Sequence, residues 1–131
     1  MKKNTFPKSD RLKSRKKLQE LFTKGRSVRV ADLRLVYAVE QGSGILKCGV
    51  GVSGRSFKHA VDRNRIKRLL REGFRLQQHE LKQIVANSEK DLFVFILYTG
   101  KILPNYTSVF QNVGLALQKL AGANAMGIKN S

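Results

Sequence analysis

This chain is short of acid. Nine aspartates and glutamates stand against 26 lysines and arginines, a formal charge of +17 over 131 residues. There is no tryptophan, and there are two prolines and a single cysteine, Cys48. One cysteine excludes an internal disulfide and fits a reducing compartment. With His59 and His79 as the only histidines, no histidine–cysteine zinc site can be assembled. The carboxylates are scattered, offering no pair for acid–base work and no cluster for a two-metal centre. Long hydrophobic runs are also missing: the strongest, Leu92 to Tyr98, is far too short to cross a bilayer. The first ten residues carry cations with no apolar stretch behind them and do not read as a secretory signal.

What is present is positive charge laid out in order. The hydrophobic fraction, 41%, is enough for one folded domain with a modest core. Residues 60 to 71 read Ala-Val-Asp-Arg-Asn-Arg-Ile-Lys-Arg-Leu-Leu-Arg. On a helix advancing about 100° per residue, Ile66, Leu69, Leu70, Gly73 and Phe74 gather on one side. Asn64, Lys67, Arg68, Arg71 and Arg75 gather on the other, flanked by Arg63 and Arg65, with Arg55 and Lys58 just upstream. Like charges crowded at i,i+3 and i,i+4 weaken a helix, so this pattern points to a polyanion lying against that face. Nucleic acid is the favoured partner, because neutralising phosphates releases condensed counter-ions. An anionic membrane is the rival partner, and an ordinary solvated face is the plain reading. Five cations between positions 63 and 71 argue against the latter.

Along the chain, residues 1–13 read as a basic arm. Ser14 is a candidate N-cap and Gly25 a stop for a short helix in which Leu18, Leu21 and Phe22 share a face. Arg15, Lys16 and Lys17 fill its first turn, where cations oppose the helix dipole. Residues 28–39 alternate as a strand, with Leu33, Leu35, Tyr37 and Val39 on one face and Arg34, Val36 and Ala38 on the other. Gln41 to Gly44 reads as a turn leading into a second strand, Ile45 to Ser53, so an antiparallel hairpin is expected. The cationic helix should run from about Ala60 to Gln78, with a further turn through Leu81 to Val85. Leu92 to Tyr98 reads as a central strand covered on both sides, and Tyr106 to Leu120 as a closing helix. The expectation is an α+β domain in the order α-β-β-α-β-α. It has one small sheet of three to four strands, mostly antiparallel, with helices mainly on one face. A single domain spans 1–131, with its basic arm at 1–13, its core at about 14–121 and a frayed tail at 122–131.

Three motifs come close to known chemistry and miss. Gly49-Val50-Gly51-Val52-Ser53-Gly54 has the spacing of a dinucleotide-binding loop, but the glycines fall inside a strand, where glycine marks a bulge or a close backbone approach. Gly51 to Arg55 lacks the final glycine of a hydrolase elbow. His79-Glu80-Leu81-Lys82-Gln83 has glutamine where a zinc protease needs its second histidine.

The segment Ala60 to Glu72, with its Arg63-Asn64-Arg65 triplet, resembles the signature helix of the protein subunit of bacterial ribonuclease P. Arg11-Leu12-Lys13, Leu21-Phe22 and Lys24-Gly25-Arg26 resemble that family's first helix and turn, and Gly49 to Ser53 the strand before the signature. The resemblance runs over roughly residues 10 to 120. It implies a fold shared with a ribosomal-protein superfamily and a left-handed β-α-β crossover. Nothing in the residues sets that hand, and the general preference is right-handed.

The resemblance further implies a cytoplasmic protein that is the non-catalytic subunit of a ribonucleoprotein endonuclease. The RNA subunit would be the catalyst and would hold Mg2+, with no metal or cofactor on the protein and no catalytic side chain. The partners would be ribonuclease P RNA and precursor tRNA, with no membrane. Candidate RNA contacts are Arg55, Lys58, Arg63, Asn64, Arg65, Lys67, Arg68, Arg71 and Arg75, which supply phosphate donors. A cleft for the single-stranded 5′ leader would be floored by Leu18, Phe22, Leu33, Leu35 and Tyr37 and rimmed by Arg11, Arg15 and Lys24. Rings there can stack unpaired bases, although Phe22 can equally pack beneath its own helix. The alternatives are a ribosomal or ribosome-assembly protein that binds RNA without cleavage, and a protein-only nuclease, which the scattered carboxylates disfavour.

Overall fold

The computed structural model describes residues 15–53 and 57–122. The expected arm, the Ser14 cap, Arg11, the Arg15 side chain, Arg55 and the tail beyond Gly122 lie outside the described residues. Within them the order is α1 (Arg15–Lys24), β1 (Arg26–Val30), β2 (Leu33–Gln41), β3 (Leu46–Val52), α2 (Ala60–Gln77), α3 (His79–Ser88), β4 (Lys90–Tyr98) and α4 (Tyr106–Gly122). One four-stranded sheet is ordered β1-β2-β4-β3. β1–β2 and β2–β4 are antiparallel, while β3 and β4 run parallel, from Leu46↔Leu92 to Val52↔Tyr98. β3, α2, α3 and β4 therefore form a β-α-β crossover.

Two expectations about the strands are corrected. The alternating stretch 28–39 is two strands, folded back at Ala31-Asp32. Ala31 takes φ 50°, a left-handed conformation that glycine or asparagine usually supplies, so the residue types gave no turn signal. The turn is tied to the end of β4, because Thr99 donates to the Asp32 carbonyl from its backbone N–H at 2.8 Å and its hydroxyl at 3.0 Å.

The expected hairpin between this stretch and residues 45–53 does not form, because β4 lies between β2 and β3. The Gln41–Gly44 turn is organised around β4 instead. Asp91 Oδ1 accepts from the backbone N–H groups of Ser43 (3.0 Å), Gly44 (3.2 Å) and Ile45 (2.9 Å). A β-carbon on Gly42 would collide with that carboxylate, so the loop can close over it only with glycine at this position.

The alternation in the strands divides the sheet into two unequal faces. Leu33, Leu35 and Tyr37 of β2, Leu46 and Cys48 of β3, and Leu92, Val94, Ile96 and Tyr98 of β4 face α2, α3 and α4 and form the main core. α2 contributes Ile66, Leu70 and Phe74, α3 Leu81 and Val85, and α4 Val109, Val113, Ala116, Leu117 and Leu120. α4 starts cleanly because Asn105 caps it, its side-chain oxygen accepting from the Ser108 N–H at 2.8 Å. The opposite face carries a smaller cluster, Leu21 and Val36 with Leu18, Ala38, Phe93 and Phe95, beneath α1. Three helices thus cover one face and one helix partly covers the other.

Candidate RNA interface

α2 turns its apolar stripe inward as its periodicity dictates. Ile66 and Leu70 are fully buried, as is Phe74 at 1% exposure, and Gly73 sits against Val113 of α4. The cations point away from the core but are not equivalent. Asn64, Arg65 and Arg68 are exposed, and Arg63, Lys67, Arg71 and Arg75 are half-buried along the flanks. Arg75 is held by Glu72 one turn back through two bonds, at 3.3 and 2.6 Å, and this pairing raises the arginine's pKa. Arg63 is turned back on the chain, with Nη1 donating to the carbonyls of Phe57 (2.7 Å) and Lys58 (2.8 Å). Arg65, Lys67 and Arg68 have no carboxylate partner among the described residues. Lys58 is exposed on the loop leading into the helix.

A second surface lies on the α1 side of the sheet. Phe22 is 42% exposed and meets the edge of Phe95 with ring centroids 5.3 Å apart. Lys17 bridges α1 to β2 by pairing with Glu40 and with Glu20, and it sits 4.6 Å above the Phe93 ring. The bond to Glu40 raises the lysine's pKa. Of the glycines in this stretch, Gly51 marks a close approach: a β-carbon there would come within 2.7 Å of the Phe95 ring. Beyond Phe95, alternation places Leu97 and Lys47 on this same face.

The sequence-derived cleft is corrected at its floor. Leu33, Leu35 and Tyr37 are buried at 2%, 0% and 6% exposure on the opposite side of the sheet from Phe22, under α2 and α4. Residues one position apart on a strand face opposite ways, so the side chains that meet Leu18 and Phe22 are Val36, Ala38, Phe93 and Phe95. The aromatic alternation of Phe93 and Phe95 within Leu92–Tyr98 was the available signal for them. Lys24 is exposed at the end of α1, where Gly25 N–H donates to the Leu21 carbonyl at 2.9 Å. His59 and His79 are exposed, and no group of three His, Cys, Asp or Glu comes together among the described residues. No helix among them is long and apolar enough to cross a membrane.

Comparison with known proteins identifies the family and the fold. The family model described as Ribonuclease P matches residues 6–121. A ribonuclease P protein component from Porphyromonas gingivalis is 31% identical over 117 residues, covering 88% of this chain and 85% of that protein. One from Borrelia turicatae is 34% identical over 98 residues, covering 75% and 80%. The solved structure of the Staphylococcus aureus RNase P protein, at 22% identity, superposes with a TM-score of 0.59 over 85% of this chain and 94% of that one, which establishes the common fold. The chain belongs to the ribonuclease P protein family.

Proposed function

We propose that this protein is the cytoplasmic subunit that binds the catalytic RNA of ribonuclease P and promotes removal of the 5′ leader from precursor tRNA. The RNA carries the reaction and its Mg2+ ions. The observation that carries this reading is the outward face of α2, where Arg65, Lys67 and Arg68 lie together on a helix anchored by Ile66, Leu70 and Phe74. Structured RNA hides its base edges and is gripped through phosphates and shape, for which such a face is suited. Asn64 stands among these cations and can both donate and accept towards backbone or sugar. Arg71 and Arg75 extend the row.

The leader would lie on the other side of the sheet, against Phe22 and the exposed parts of Phe95 and Leu97, with Lys24 and Lys47 for its phosphates. Flat rings beside cations suit an unpaired strand, because stacking tolerates any base. The two surfaces lie on opposite faces of one sheet, so the protein would touch catalyst and substrate at once.

Reconstitution tests the proposal. Added to a bacterial ribonuclease P RNA at low Mg2+, the protein should stimulate cleavage of precursor tRNA at the mature 5′ end. Absence of stimulation would reject the role. Cleavage by the protein alone would favour a protein-only nuclease, and RNA binding without stimulation would favour an assembly protein.

A further inference from the structure

We infer that the two arginines of the Arg63-Asn64-Arg65 triplet have different tasks. Arg63 is a positioning residue that pins the entrance of α2, and the phosphate-facing set starts at Arg65. The inference rests on the reading of α2 as an RNA-binding face.

α2 begins without help from its own cap: His59 occupies the N-cap position and makes no side-chain bond to the first turn. The loop before it is secured from the other direction. Arg63 Nη1 donates to two consecutive carbonyls, Phe57 at 2.7 Å and Lys58 at 2.8 Å. Both are charge-assisted, the stronger class of hydrogen bond. Phe57 is itself fixed, 7% exposed with its ring 6.1 Å from that of Tyr98 in the main core. Arg63 therefore ties a helix residue to a backbone segment already seated on the sheet, and Lys58 is held at a set angle to the helix. Arg65 has no such bond and is exposed. A guanidinium nitrogen committed to two carbonyls at these distances cannot present those hydrogens to a phosphate without releasing the loop.

The test compares the full-length protein with Arg63→Ala, Arg63→Gln and, as reference, Arg68→Ala. Binding to a bacterial ribonuclease P RNA is measured across salt concentrations, and amide hydrogen exchange is followed at residues 63–65, the first amides of α2 with backbone acceptors. A phosphate contact is worth about 0.9 in the slope of log K against log salt, so Arg68→Ala should flatten the slope by about that amount. Arg63→Ala should bind several-fold more weakly at every salt concentration with the wild-type slope. Its amides at 63–65 should exchange about tenfold faster, the loss of about one net hydrogen bond at the helix entrance. Arg63→Gln, neutral but still an N–H donor, should keep the slope and recover part of the protection. It also serves if the alanine variant folds poorly. A slope lowered in either Arg63 variant as in Arg68→Ala, or unchanged exchange in Arg63→Ala, would overturn the inference. If the wild-type protein failed to bind the RNA at all, the interface reading would fall, while the exchange measurements would still decide the anchoring role.

Discussion

Replacing Phe22 separates packing from recognition on the α1 side of the sheet. The residue is 42% exposed, so somewhat over half of it is covered by the sheet. An aromatic side chain buries about 150–250 Å² when fully covered, so about 100 Å² is at stake here, or about 2.5 kcal/mol at about 25 cal/mol per Å². The edge contact with Phe95 adds about 0.5–1.5 kcal/mol. Phe22→Ala removes both terms and any base stacked on the ring. Phe22→Leu keeps most of the apolar cover and removes only the flat face, so it is the sharper variant. A stacked base is worth about 1–3 kcal/mol, which corresponds to about 5- to 150-fold in affinity. The assay is the affinity of the reconstituted protein–RNA complex for precursor tRNA carrying a leader and for mature tRNA. Phe22→Leu should weaken the first by about tenfold and leave the second within about twofold. Equal losses on both substrates, or no loss on either, would show that Phe22 only packs beneath its helix.

Asp91→Ala leaves the Ser43, Gly44 and Ile45 N–H groups without their shared acceptor, and should lower unfolding stability by about 1–3 kcal/mol; a urea midpoint unchanged from wild type would refute the role given to that carboxylate. Cys48 is buried, and burial raises its thiol pKa while the Arg71 charge opposes the rise. Its neutral form is favoured in the folded state, so the associated stability is intact below the ordinary thiol range and declines above about pH 8.5, by up to about 1.4 kcal/mol per pH unit. Melting temperature should accordingly fall less steeply from pH 8 to 10 in Cys48→Ala than in wild type, and parallel curves would contradict it.

The helices were legible because their information is local. α2 announces itself by apolar residues at i, i+3 and i+4 with cations on the opposite side, and the same residues decide which way it faces. The sheet was less legible because strand partners are chosen at a distance. Nothing within residues 28–53 says that a strand forty residues later will enter between β2 and β3; that is arranged by Asp91 reaching three amides of the Gly42–Ile45 loop. The turn at Ala31-Asp32 was silent because an alanine holds the positive φ. The cleft floor failed for a related reason. Alternation identified Leu33, Leu35 and Tyr37 as one face, but it cannot say which helix covers which face. The larger apolar set went beneath three helices, leaving α1 the smaller one, Val36 and Ala38 with Phe93 and Phe95.

The energetics of α2 bear on how it meets a partner. The helix carries six cations and two acids, Asp62 in its first turn and Glu72 paired with Arg75. Five like-charged pairs fall at i,i+3 or i,i+4: Arg63–Lys67, Arg65–Arg68, Lys67–Arg71, Arg68–Arg71 and Arg71–Arg75. Each costs about 0.2–0.5 kcal/mol, or about 1–2.5 kcal/mol together. Against them stand Ile66, Leu70 and Phe74, each at most 1% exposed and each worth about 1.5–3 kcal/mol of burial. Anchoring exceeds repulsion severalfold, so the crowding of like charges does not by itself prevent the helix from forming. Asp62 near the positive end of the helix dipole and Arg63 on the entrance loop favour the same outcome. A phosphate surface that docks here meets a charge array whose mutual repulsion the apolar side of the helix already offsets. Circular dichroism of the free protein should therefore show its full helix content at moderate salt, with little further gain when RNA is added.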